Sequence, residues 1–428
     1  MPHLPLARSR RSVLKTIGGG ALAAAAAPLA VEAAHGETAT PSGPQIMMDG
    51  HVHITTRVYW EKIDPWKPQS TGWDYARARA AGINVIIENL GTYSYWGYNQ
   101  TPKQMLRLVE TFYRVAEANK DKMDVALSAA DARRIVASGR MAVFMGVESG
   151  WDHEGDIDVL RALYRLGLRS IQFTTQSGFN GFADTALAPL TSGQQPNHYN
   201  GINDKGRALI KEMNRLGILI DVAHGTEASQ AQIIEASAAP VVDSHDGLRA
   251  ITGGPGLSDD LLKKLAGKGG MIGIHAWAAL TSKRYAAWIV ANREKFARVS
   301  KPFFDFGGYR PNFERPPGDH GEYGARLDAE AGARFRATAE PWSDDPEAAA
   351  LVPTPDEWAQ SAKHVIDTVG ADHVGIGLDM TGGRSNTPKD PSGYPALVAA
   401  LNRVTTPENV RKITGENWLR VLEKAKVG

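Results

Sequence analysis

The sequence predicts an α/β fold, a (β/α)8 TIM barrel of parallel strands ringed by helices. Three observations carry that expectation. Short apolar runs recur eight times, and most are followed by an amphipathic stretch. Several of these runs end in a residue with metal-ligand chemistry rather than in an ordinary turn residue. Alternating strand and helix patterns favour parallel β/α units, and eight strands favour a closed barrel over an open sheet. An open doubly wound sheet is the competing architecture. No repeat of 20–50 residues is visible, which argues against a solenoid.

Composition narrows the chemistry. The chain has 428 residues, 43% hydrophobic and 22% charged, which is globular composition. Lys+Arg is 48 against Asp+Glu 47, so no basic excess points to nucleic acid. There is no cysteine, which excludes disulfides, thiolate metal sites and a Cys nucleophile. Any metal must be held by His, Asp and Glu.

The elements follow in chain order. Arg10 and Arg11 form a twin-arginine pair ahead of an Ala/Gly-rich stretch from Thr16 to Val31. That stretch is shorter than the roughly 20 apolar residues of a membrane span. Residues 1–35 are therefore expected to be a signal peptide, with small residues around Val31 to Ala34 suited to cleavage. The segment resembles a twin-arginine export signal, implying passage of a folded chain through that machinery to the periplasm or medium. A retained N-terminal anchor is the alternative. Residues 36–428 are expected to form one barrel domain. Its strand runs are Gln45–Asp49, Ile83–Asn89, Met141–Glu148, Arg169–Thr175, Ile218–His224, Pro240–His245, Gly270–His275 and His373–Asp379. Helical patterns fall at Thr101–Lys120, Ile157–Leu166, Asp204–Leu216, Glu227–Ala236, Ser258–Ala266 and Pro355–Val369. Between about Ala278 and Val352 no strand pattern is present. A connection this long is usually functional or disordered. It reads as a lid or subunit contact over the barrel mouth, or as a surface insertion.

The strand ends carry the chemistry. The first run leads into His51 and His53, two apart and so on one face of an extended strand. The third ends in Glu148, the fifth in His224, the sixth in His245 and the last in Asp379. In a barrel these ends converge on the face where enzymes of this architecture place their sites. Four histidines, a glutamate and an aspartate fit two divalent ions, because imidazole suits zinc and a carboxylate can bridge. A His/Glu hydrogen-bond network without metal is the competing reading. His275 ends the seventh run, and is either a carbonyl-polarising group or a histidine packed on Trp277. The aromatics Tyr59, Trp60, Trp66, Tyr93, Tyr95, Trp96, Tyr98 and Trp151 follow early strands. They would ring the mouth or pack the loops together.

These residues resemble the membrane dipeptidases, the renal dipeptidase-type peptidase family M19 of the amidohydrolase superfamily. The stretches that carry the resemblance are Asp49-Gly50-His51, Gly146-Val147-Glu148, Gly206–His224, Ser244-His245, Gly375–Gly382 and Glu408–Val421. The resemblance implies an amidohydrolase-type barrel with two zinc ions. His51 and His53 would hold one, His224 and His245 the other, with Glu148 bridging and Asp379 as acid/base. Dimers are common among such relatives, so a homodimer is possible.

Three departures bear on the substrate. The family more often has His-x-Asp on the first strand, where this chain has His53. After the fourth strand it usually has a carbonyl-polarising His, where this chain has Thr175 and Gln176. Past the sixth strand it usually has an Arg for the substrate carboxylate. Here that place falls in Gly253–Gly256, with Arg249 nearby but out of register. The expected function is a binuclear zinc hydrolase of small amides or dipeptides, in which a hydroxide between the ions attacks the carbonyl. N-acyl amino acids, esters, lactones or a metal-dependent decarboxylation are alternatives. A non-catalytic exported binding protein is a third.

Overall fold

In the computed structural model the eight apolar runs each supply a strand. The structure describes residues 44–70, 72–91, 101–148, 151–152, 155–174, 180–186, 198–294, 345–380 and 385–428. The twin-arginine segment, Thr175, Gln176 and the aromatics between 93 and 98 lie outside them. The strands are β1 (Met48–Val52), β2 (Val85–Gly91), β3 (Met123–Val125), β4 (Met141–Glu148) and β5 (Leu168–Gln172). They continue as β6 (Leu219–Asp221), β7 (Val242–Asp246), β8 (Met271–Ile274) and β9 (Val374–Ile376). The parallel order is β1-β2-β4-β5-β6-β7-β8-β9, with β3 paired along the first residues of β4. The expected barrel is thus present, with the short β3 as an addition.

The barrel closes where β9 returns to β1. The Asp379 amide donates to the His51 carbonyl at 3.1 Å. The Leu378 amide donates to the Asp49 carboxylate at 2.9 Å. Asp49 also accepts from the indole of Trp73 at 3.2 Å, so a buried acid ties the seam together.

Two core layers hold the ring. One lies inside its N-terminal end and includes Met48, Val85, Ala142, Leu219, Val242 and Met271, each at or near the start of its strand. Trp418, from the helix Asn417–Lys424, is fully buried in that layer and donates to the Ile376 carbonyl at 3.0 Å. It needs glycine beside it: a Cβ at Gly50 would stand 2.0 Å from its ring. The other layer, with Ile86, Val143, Val147, Ile220, Ile272 and Ile376, packs against the helices. Burying such apolar area is the main stabilising term, at about 25 cal/mol per Å².

Strand pairing slips between β1 and β2, between β4 and β5, and between β7 and β8, and the first and last of these bear on histidines. In β1 three residue steps, Asp49 to Val52, oppose two steps of β2, Ile86 to Glu88. In β7 three steps, Asp243 to Asp246, oppose two of β8, Ile272 to Ile274. Such a bulge inserts one residue and re-aims the side chains after it. Met48 and His51 are three apart, as are Val242 and His245. Regular alternation would send each pair to opposite faces. The bulges let the apolar residue and the histidine both point into the barrel.

In the long connection after β8 the described residues are helical, at Ala278–Thr281, Lys283–Ala291 and Pro346–Ala350. Among the described residues no helix is long and apolar enough to cross a membrane.

Candidate metal centre

β1 and β4 bring the first group together. His51 and His53 present their Nε2 atoms 3.0 Å apart. Oε2 of Glu148 lies 2.6 Å from His53 Nε2 and 3.6 Å from His51 Nε2. The second group shares the same glutamate. Its Oε1 is 3.1 Å from His224 Nε2, which is 3.1 Å from His245 Nε2. Thus Glu148 turns one oxygen to each histidine pair.

Hydrogen bonds behind the rings fix which nitrogen faces the cluster. His53 Nδ1 donates to the Asn89 carbonyl at 2.6 Å. His51 Nδ1 and His245 Nδ1 both face Ser244 Oγ, at 3.0 and 2.7 Å. The carbonyl can only accept, so a neutral His53 directs Nε2 inward as a lone pair. Two unprotonated nitrogens at about 3 Å repel unless a proton or a metal cation lies between them. Ligands at roughly 2.0–2.1 Å around a tetrahedral zinc would stand about 3.3 Å apart. The donor set therefore fits two divalent ions, at His51/His53/Glu148 and at Glu148/His224/His245.

Two further groupings are less suited to metal. His51, Asp221 and His245 come close, but the Ser244 hydroxyl already occupies their centre. His245, His275 and Asp379 also come close. There the Trp277 amide donates to His275 Nδ1 at 2.8 Å. A neutral ring must then carry its proton on Nε2, which faces Asp379 Oδ2 at 3.3 Å and is a donor rather than a metal ligand.

Charge is strongly redistributed. Burial raises the Glu148 carboxyl, but hydrogen bonds from His224, His51 and His53 outweigh it and hold it well below the usual carboxylate range. Burial opposes charge on His53, yet its bond to Glu148 and the charges of Glu148, Asp379 and Glu88 push it up to about 9. Burial, with His51 and His224 close by, drives His245 well below an ordinary imidazole. Burial also works against the Asp379 anion, but His275, His245 and His51 together keep it ionised. Burial lifts Asp221 above its ordinary value, while His51, Ser244 and the amides of Ala223 and Ser244 draw it back. A pocket that holds two acids ionised among five imidazoles favours positive charge at its centre.

Two members sit on strained backbone. His224 has φ 64° and Asp379 has φ 43°, in the left-handed region that costs a non-glycine residue about 1–3 kcal/mol. The His224 carbonyl is held by the Ala186 amide at 2.8 Å and the Thr185 hydroxyl at 3.1 Å. One oxygen of Asp379, Oδ1, is buried without a hydrogen-bond partner.

The structure thus brings together His51, His53, Glu148, His224, His245, His275 and Asp379. Arg249 stands apart: it is about half exposed and its guanidinium is paired with Glu227 at 3.2 Å. Trp60 and Trp151 are buried in packing, Trp151 against Phe182, rather than open at a mouth. Sequence reasoning assigned no role to Asp221 or Ser244. Their signal was present as polar residues inside apolar runs, at Asp221-x-x-His224 and Ser244-His245.

The chain is similar to several known proteins. Dipeptidase verJ of Clonostachys rogersoniana is 27% identical over 325 residues, 75% of this chain and 65% of its own length. Dipeptidase tcpJ of Claviceps purpurea (strain 20.1) is 26% identical over 333 residues, 77% of this chain and 61% of its own. The match therefore spans less than two thirds of these curated relatives. The probable dipeptidase PvdM from Pseudomonas aeruginosa has the same fold, with a TM-score of 0.70 and 20% identity. The likeness covers 89% of this chain and 96% of that one. A metallo peptidase from Rhodobacter sphaeroides, solved with a phosphinate mimic of the dipeptide L-Ala-D-Ala, gives 0.62 at 21% identity. It covers 89% of this chain and all 100% of that one. The model of the membrane dipeptidases matches residues 44–427. The chain belongs to the membrane dipeptidase family, peptidase family M19.

Proposed function

We propose that this chain is a zinc-dependent hydrolase of small amides, with dipeptides as its substrate class. One observation carries the reading. Two pairs of inward-facing imidazole nitrogens share a single buried carboxylate, beside an aspartate oxygen that has no hydrogen-bond partner. His51 and His53 would hold one ion and His224 and His245 the other, with Glu148 between them. When bound, zinc supplies Lewis acidity and makes water acidic enough to react near neutral pH.

The chain's own residues do the rest. Asp379 Oδ1 is the free oxygen and takes a proton as the amide is attacked, then returns it to the leaving amine. His275 holds the other oxygen, Oδ2, so the free one keeps its aim. On this reading His275 serves the acid/base rather than the scissile carbonyl. Dipeptides are favoured because the named relatives are dipeptidases and one neighbour was solved with a dipeptide mimic. The pairing of Arg249 with Glu227 favours a second reading, N-acyl amino acids or esters, because that cation is already engaged.

The deciding experiment compares metal-stripped and zinc-reloaded protein on L,L- and L,D-dipeptides, N-acyl amino acids and esters. Zinc-restored dipeptide cleavage is expected. Cleavage of acyl amino acids or esters alone would shift the reading to the second, and no turnover with zinc bound would leave a binding protein. We also propose export through the twin-arginine route. Replacing Arg10 and Arg11 by Lys should leave the chain in the cytoplasm, as fractionation would show.

A further inference from the structure

We propose that the Ser244 hydroxyl is a single positioning group for both halves of the metal centre, fixing the tautomer of one histidine in each. The proposal rests on the two-zinc reading above. It follows from counting protons. A serine hydroxyl has one proton to give and two lone pairs to receive. Ser244 Oγ touches three groups: His51 Nδ1 at 3.0 Å, His245 Nδ1 at 2.7 Å, and Asp221 Oδ2. Asp221 is a buried acceptor, already oriented through Oδ1 by the amides of Ala223 and Ser244, each at 3.0 Å. The hydroxyl proton therefore goes to Oδ2, and both lone pairs are left for the rings. Each ring must place its proton on Nδ1 and expose an unprotonated Nε2.

Those Nε2 atoms belong to different halves. That of His51 lies 3.0 Å from His53 Nε2, and that of His245 lies 3.1 Å from His224 Nε2. One hydroxyl thus prepares a ligand for each ion. Groups behind metal-ligating histidines commonly change affinity by about 10–100-fold. Here one substitution should act on two sites together.

Two variants separate this from a merely structural role. Ser244→Ala removes the shared acceptor, so both zinc equivalents should weaken by about 10–100-fold in chelator competition. Asp221→Asn does something different. Its amide oxygen keeps the two backbone donors, and its NH2 now donates to Ser244 Oγ. The hydroxyl proton must then turn to one ring, which loses its Nδ1 proton and presents Nε2–H to the cluster. One zinc equivalent should weaken while the other stays near its original affinity. Imidazole 1H–15N spectra of the zinc-loaded proteins should show one Nδ1–H signal fewer in Asp221→Asn.

Ser244→Ala with both zinc affinities unchanged, or with only one changed, overturns the proposal. So does Asp221→Asn with both affinities and both Nδ1–H signals intact. If Ser244→Ala fails to fold, the Asp221→Asn pattern decides alone. If the unmodified protein binds no zinc, the metal-centre reading itself is what fails.

Discussion

Asp379 is held where few side chains rest, at φ 43°, with one oxygen against His275 Nε2 and the other buried without a hydrogen bond, 3.6 Å from His53 Nε2. Asp379→Asn preserves shape and leaves the His51, His53, Glu148, His224 and His245 cluster intact. Zinc content by elemental analysis should therefore stay near that of the parent. Turnover should fall by about 10²–10⁴, the usual contribution of a positioned acid/base. Parent-like kcat in this variant would remove Asp379 from the proton path. At this scale much was readable from the sequence. Polar residues ending apolar runs have few structural uses, and His51 and His53 at a spacing of two had to share a face. Which nitrogen each ring shows was not readable. That is set by Asn89, Ser244 and the Trp277 amide, groups distant in the chain or belonging to the backbone.

At the scale of elements, the apolar runs located the strands but misplaced some ends. The first run stops at Asp49 in hydropathy, whereas β1 continues to Val52. Its polar residues are buried inside the barrel, and a hydropathy signal cannot separate that from a turn. The bulges in β1 and β7 were invisible for a related reason: they are properties of pairing, not of composition. β3 was missed because three residues, one of them Asp124, give too short a pattern. The helix Pro355–Val369 was well marked, and it carries a prediction. Its capping box pairs Thr354 with Glu357, and Glu357 also grips Arg284 of the helix Lys283–Ala291. That ion pair clasps the two sides of the long connection. Hydrogen bonding to Arg284, then to the Thr354 amide, lowers Glu357 to about 2 from its ordinary 4.5. A lowered carboxyl stabilises the fold fully above its unfolded value, and the gain is lost as pH falls from 4.5 towards 2. Glu357→Gln keeps the cap and removes the charge. The variant should be less stable than the parent at pH 6, and the gap in urea midpoint should narrow below about pH 4.5 and close only near pH 2. A gap of constant size would show that the pair contributes nothing through its charge.

Across the whole molecule, the barrel is secured differently at its two ends. The N-terminal end is plugged by apolar packing around Trp418. The C-terminal end gathers acids and imidazoles from β1, β4, β7 and the turns after β6 and β9, and hydrophobic burial cannot hold like dipoles together there. Two cations would supply that cohesion. A ligand that binds only the folded state adds about 2.7 kcal/mol when present at 100 times its Kd. Removal of zinc should therefore act unevenly. Local opening draws on the weakest part of a structure first, so backbone amides at His51–His53, Val147–Glu148, Val222–His224 and Ser244–Asp246 should exchange faster after chelation. Amides at Met48, Ala142, Met271 and Trp418 should exchange as before, because their packing is untouched. Hydrogen exchange with peptide-level readout, on zinc-loaded and stripped protein, measures both ends at once. Uniform acceleration would mean that the ions stabilise the fold only globally. No change at all would mean that the histidines and Glu148 hold one another without a metal.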